Sequence, residues 1–151
     1  MNAGEFETIL ERERERQRIV VLSLAEPRER PAPHDDLRAF EQEFGCVFPA
    51  SYRYFAMLHG CGDFIFTAVL SPLPESIFHI GNATCALGPH FLPIAENGCG
   101  DYYGFPCEAG ICRDSIVFTA HEKEYATQPA NYKDFFSFLV ADGLRANDRD
   151  A

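Results

Sequence analysis

Residues 91–105 read FLPIAENGCGDYYGF, and this stretch decides the fold. Positions 91–95 form an apolar, strand-like run, and 101–105 form a second run carrying two tyrosines. Between them lies Asn97-Gly98-Cys99-Gly100. Asn-Gly is the strongest short-range turn signal, because both residues tolerate the positive φ of a primed hairpin turn. A second glycine two positions on permits a bulge or a close backbone approach. The stretch predicts a β-hairpin whose far strand is acidic and aromatic.

Working outward, residues 63–70 (DFIFTAVL) are strand-like, and Ser71-Pro72-Leu73-Pro74 breaks the run. On the other side, Glu108-Ala109-Gly110 makes a turn into 115–119 (SIVFT), a further strand in meander order. A short helical turn is predicted near 75–78 and a loop through 81–88. Upstream, Asp35-Asp36 supply an N-cap and first-turn negative charge to a helix with Leu37, Phe40 and Phe44 on one face. Gly45 ends that helix and Pro49 begins the next, which buries Tyr52, Phe55 and Ala56 and is closed by Gly60. Downstream, Asn131 caps a helix with Asp134 at its third position and Tyr132, Phe135, Phe136 and Leu139 on its apolar face. Helices, then antiparallel strands joined by short turns, then a covering helix make an α+β fold: an antiparallel meander flanked by N-terminal helices and a C-terminal helix.

The 151 residues suffice for one domain with a real core. Residues 1–30 read as a helical extension and linker, 31–145 as the single domain, and 146–151 as a disordered tail. A helix starting near Glu5 puts Phe6, Ile9 and Leu10 on one stripe and continues through ERERER (11–16), read as a solvated face, while 19–22 could dock onto the body. Pro27, Pro31 and Pro33 then mark the linker.

Composition excludes several functions. No apolar run reaches the roughly 18 residues of a membrane span, and the charged N-terminus offers no signal peptide. Net charge is −10; positions 54–122 hold seven carboxylates against the single Arg113, a net of −6. Such a field repels nucleic acid and anionic membranes and attracts basic partners. The six cysteines have irregular gaps and, without an export signal, are expected to be reduced thiols in the cytoplasm.

Cys99, Cys107 and Cys112 cluster near the hairpin, with His59 and Cys61 elsewhere, but no C-x2-C pair exists to set two thiolates in tetrahedral geometry, so no metal is expected. Cys61 follows a helix C-terminus, the wrong end of the dipole for an activated thiol. Glu96 and Asp101 flank one turn and could approach as an acid–base pair, but carboxylates at turns are ordinarily solvated. Gly98-Cys99-Gly100 opens no helix and is no phosphate loop. No catalytic residue and no cofactor is implied. What remains is an acidic face with aromatic side chains: Asp63, Glu96, Asp101, Tyr102 and Tyr103. Tyrosine gives contact area at low entropic cost and carboxylates steer a basic partner. Adjacent tyrosines alternate across a sheet, so one of them should face the core.

Three motifs in order resemble the SUKH superfamily, the group of fungal Smi/Knr-type cell-wall assembly regulators and many bacterial toxin-immunity proteins. LRAFEQEFGCVFPASYRYFAMLHGCGDF (37–64) looks like its opening helix, Pro-led second helix and Gly-rich turn. FLPIAENGCGDYYGF looks like its central hairpin, and KDFFSFLV (133–140) like its closing helix. HGCG stands where an Asn-Gly pair is commoner, and Phe48-Pro49 where Leu-Pro is. The resemblance implies a protein-binding, non-catalytic role: for bacterial members, neutralising a cognate toxin, often a nuclease. The chain is expected to act as a monomer or weak dimer. The alternative it offers is a regulatory scaffold of the cell-wall type, for which a long disordered extension would be expected.

Overall fold

The computed structural model describes residues 1–16, 29–84, 88–130 and 132–145. Its frame is an antiparallel sheet: β1 (Gly62–Phe64), β2 (Thr67–Val69), β3 (Phe91–Glu96), β4 (Tyr102–Glu108), β5 (Ile111–Cys112), β6 (Val117–Thr119) and β7 (Thr127–Pro129). The order is β1-β2-β3-β4-β6-β7, with the short β5 folded back on β4. Five helices accompany it among the described residues: α1 (Ala3–Arg16), α2 (His34–Phe44), α3 (Ala50–Leu58), α4 (Ile80–Thr84) and α5 (Phe135–Phe138), the last running on as a π-turn over Leu139–Gly143. The α+β meander read from the sequence is present.

Several local expectations shift. The single strand over 63–70 is a hairpin, β1–β2, turning at Ile65-Phe66. Ile65 takes φ 55°, a conformation that a β-branched residue rarely adopts. The turn is held from outside, where the Phe66 N–H donates to the Gly143 carbonyl at 3.3 Å. Pro33, not Asp35, stands at the N-cap of α2, with Asp35 and Asp36 in its first turn; Gly45 closes the helix at φ 64°. Pro49 is likewise the N-cap of α3 and not its first residue. The short helix expected at 75–78 forms instead at Ile80–Thr84. The Ser76 hydroxyl accepts the Phe78 N–H at 2.9 Å and stabilises a turn where a helix would need the i−4 carbonyl. Asp134, not Asn131, caps the final helix, accepting the Ser137 N–H at 2.8 Å. Asn131 lies outside the described residues, as do 17–28, with the expected docking segment 19–22, and the tail 146–151.

The expectation of free thiols holds for Cys46, Cys61 and Cys99 but not for Cys107 and Cys112, which form a disulfide. The β4–β5 hairpin sets them directly opposite one another in register. Cys85 is outside the described residues.

The core is aromatic. Tyr52, Phe55, Phe105, Phe135 and Phe138 are fully buried, and the Tyr52 hydroxyl donates to the Leu70 carbonyl at 2.7 Å, satisfying the polar end of a buried ring. Segment 1–16 shares this core. Phe6 is wholly buried, stacked on Phe136 at 4.8 Å and edge-on to Phe55 at 6.2 Å, and Leu10 is buried beside it. Glu7 adds polar ties, accepting from the Tyr54 hydroxyl at 3.1 Å and lying 2.5 Å from His59 Nε2. Within ERERER, Glu11, Arg12, Glu15 and Arg16 are exposed as expected, but Glu13 is buried. No helix of the described residues is long and apolar enough to cross a membrane.

Removing a buried phenylalanine ring costs about 3–5 kcal/mol. Phe6→Ala is therefore expected to lower stability in urea unfolding by that amount; a loss under about 1 kcal/mol would show that α1 is peripheral to the core.

Candidate functional site

The hairpin at 91–105 is closed by a five-residue loop, 97–101, and not by a two-residue primed turn. The Asn97 side chain organises it. Its Oδ1 accepts the Cys99 N–H at 2.9 Å, and its Nδ2 donates to Asp101 Oδ2 at 2.9 Å. Gly98 (φ 78°) and Gly100 (φ 88°) supply the left-handed conformations that this path requires. The other Asp101 oxygen, Oδ1, accepts the His121 backbone N–H at 3.0 Å and pairs with His121 Nδ1 at 2.7 Å. The Asn97 hydrogen bond first, and the His121 bonds next, hold the Asp101 carboxyl below its ordinary pKa.

Asp101 thus ties the hairpin tip to the β6–β7 connection, where His121–Lys123 form one 3-10 turn. That connection is closed on itself: the Glu124 N–H donates to the His121 carbonyl and the Tyr125 N–H to the Ala120 carbonyl. Glu124 and Tyr125 both adopt positive φ, 53° and 57°. The Tyr125 ring consequently lies 6.3 Å from that of Tyr102.

Sheet register sorts the five sequence-derived residues between two faces. Asp63, Ala68, Glu96, Tyr102, Thr119 and Thr127 pair successively across β1-β2-β3-β4-β6-β7 and so share one face. The neighbouring row, Gly62, Val69, Ala95, Tyr103, Phe118 and Gln128, points the other way, toward the helices. Tyr103 packs there, 4.7 Å from the Phe138 ring and 5.0 Å from that of Phe118. Burial, then the nearby Asp142, pushes its phenol pKa well up. The structure therefore unites Asp63, Glu96 and Tyr102 on the outward face. Asp101 is spent on the loop, and Tyr103 supports the sheet from within. Glu96 does not face Asp101 across the hairpin mouth; it stands opposite Tyr102. That neighbour contributes, after desolvation, to raising the Tyr102 pKa.

Charge on the outward face is uncompensated. Some carboxylates elsewhere have partners: Glu41 with Arg53, Glu75 with Arg30 at 2.7 Å, Glu108 with Arg113 at 3.1 Å. Among the described residues, Asp63, Glu96 and Glu124 have no ion-pair partner. Asp63 and Glu96 line one small cleft of about 200 Å³ with Thr67 and Asn97. Among the same residues, no group of three His, Cys, Asp or Glu is placed to hold a metal ion. Sequence reasoning missed Phe91, Glu124 and Tyr125. Phe91 packs against Gly104, where an added Cβ would sit 2.5 Å from its ring and 2.3 Å from the Leu92 carbonyl oxygen.

Residues 31–140 match the model of the SMI1 / KNR4 family (SUKH-1). The chain belongs to this family. No curated protein matches it. Among solved structures, a protein from Pseudomonas syringae pv. tomato shares the fold with a TM-score of 0.63 at 14% identity, over 85% of this chain and 98% of that one. The family match begins after α1, although Phe6 and Leu10 of that helix belong to the core.

The Asp101 tie has a pH signature. A carboxyl whose folded pKa is depressed stabilises fully above its unfolded value, about 3.9. That contribution is lost as pH falls through the lower folded value. Wild type should exceed Asp101→Asn in denaturation midpoint at neutral pH, and the two should converge in the acid range. A difference constant down to about pH 2 would contradict the tie.

Proposed function

We propose that this protein is a non-catalytic binding protein that neutralises a cognate bacterial toxin by stoichiometric attachment through its outward sheet face. The observation that carries the reading is the set of three carboxylates without an ion pair among the described residues, Asp63, Glu96 and Glu124, set with Tyr102 and Tyr125 on the sheet side opposite the row that packs on α5. Membership of the SMI1 / KNR4 family supports it, as does the net charge of −10. Tyrosine rings give contact area, and carboxylates raise the on-rate toward a basic surface. A nuclease is the favoured toxin, because its phosphate-binding cleft is basic and an acidic face can occupy it. The encounter takes place in the cytoplasm, where a nuclease finds its substrate.

Of the sequence-derived residues, Asp63, Glu96 and Tyr102 are assigned to direct contact, Asp101 to holding the loop, and Tyr103 to backing the sheet. The binding unit is residues 31–145, with 1–30 as an extension whose first helix docks on it, and it acts as a monomer or weak dimer.

The test is co-expression with a candidate toxic domain, sought first among the genes beside it. Growth rescue with a one-to-one complex is expected; neither rescue nor complex, from a folded protein, would contradict the reading and favour a cell-wall-type regulatory scaffold. In that complex, association should slow about tenfold or more on raising salt from low to physiological strength. Glu96→Lys should weaken binding by on the order of 2 kcal/mol through like-charge contact. Salt-independent association untouched by Glu96→Lys would count against this face.

A further inference from the structure

Beyond Tyr102 the outward face opens into a slot of about 200 Å³ between Phe91, His90, Thr119, Glu124, Tyr125 and Thr127. Two of its walls are rings. Phe91 is pinned on Gly104 and nine-tenths buried, and Tyr125 is set by the closed β6–β7 connection that Asp101 holds through His121. The floor is Thr119, fully buried, whose hydroxyl is already engaged with the Tyr102 carbonyl at 3.3 Å. At the exposed mouth stands the Glu124 carboxylate, which has no ion-pair partner among the described residues.

The volume falls short of the ~300–1,000 Å³ of small-molecule sites and suits one long side chain. Its chemistry selects which one. Aromatic walls favour a flat group that stacks, the satisfied floor gives nothing to a deep hydrogen-bonding head, and the carboxylate at the mouth calls for a cation. A guanidinium answers all three: planar, weakly hydrated, stacking on rings and donating in a fork to a carboxylate. An ammonium is compact and strongly hydrated, and two aromatic walls replace little of its water. The protein already uses such stacking, with the Arg145 guanidinium 4.1 Å over the Phe66 ring.

We propose that this slot is the anchor site for an arginine side chain of the protein partner. The inference rests on the reading of a basic protein partner given above, and adds which residue of that partner is gripped and where. Arginine is a recurrent interface hot spot when its stem is packed and its head paired, and the excess negative charge of the face complements it.

The test is a titration of the full-length, 15N-labelled protein with Nα-acetyl-arginine amide, followed by amide chemical shifts, beside the neutral isostere Nα-acetyl-citrulline amide. Shifts confined to Phe91, Thr119, Tyr125 and their neighbours are expected in the millimolar range, with arginine preferred about tenfold over citrulline. Tyr125→Ala should abolish the shifts. Glu124→Gln, at an exposed position that leaves the fold intact, should erase the preference while keeping weak stacking. No shift, equal shifts for the two probes, or shifts only around Asp63 and Glu96 would each overturn the proposal. Arginine binding without growth rescue would leave the slot standing and remove the toxin reading; rescue without arginine preference would do the reverse.

Discussion

Asp101 spends one carboxylate oxygen on Asn97 and the other on His121, and the outward face depends on that division. The first bond shapes the 97–101 loop, so that β3 and β4 leave it with Glu96 opposite Tyr102. The second reaches across to the β6–β7 connection and places Tyr125 near Tyr102. One short acidic side chain at a turn thereby sets the spacing of two rings and the mouth of a slot. Read only as a surface charge, Asp101 looks like a contact residue. Its partners make it a structural tie, which is why the proposed contact role is given to its neighbours.

Beneath the sheet, aromatic packing supplies the rigidity that a preformed face needs. Tyr103 fills the space between β4 and α5, so the residue next to Tyr102 is fixed from below while Tyr102 points outward. Phe135, Phe138, Phe55 and Tyr52 extend the same packing to α3, and Phe6 carries it to α1. A face held this way would lose little backbone entropy on binding, because the sheet beneath it is packed beforehand.

The fold was legible where the chain uses residues with strong local preferences. Gly45, Pro49, Asn97-Gly98 and the apolar stripe of 135–139 each announce a boundary or a face. It was illegible where ordinary residues occupy unusual conformations. Ile65 turns β1 into β2 at positive φ with no Gly or Asn to mark it, because a contact from Gly143 holds the turn from a distance in sequence. Glu124 and Tyr125 do the same, so the connection that completes the candidate site left no pattern to read. The choice between Tyr102 and Tyr103 hung on register, and the irregularity between Pro93 and Ala95 shifts that register mid-strand. The Cys107–Cys112 pairing followed from the β4–β5 hairpin, which spacing alone did not reveal.

The central claim is that a basic protein seats on the outward sheet face, and carboxylate labelling reads it directly. Carbodiimide-coupled amine tagging, followed by mass spectrometry, would be run on the free protein and on its complex with the proposed toxin partner. The account predicts that Asp63, Glu96 and Glu124 are tagged in the free protein and protected in the complex, while the exposed Glu75, outside the sheet, and Glu108, at the far end of β4 from Tyr102, are tagged alike in both. Protection of Glu75 or Glu108 with Asp63, Glu96 and Glu124 still open would contradict it.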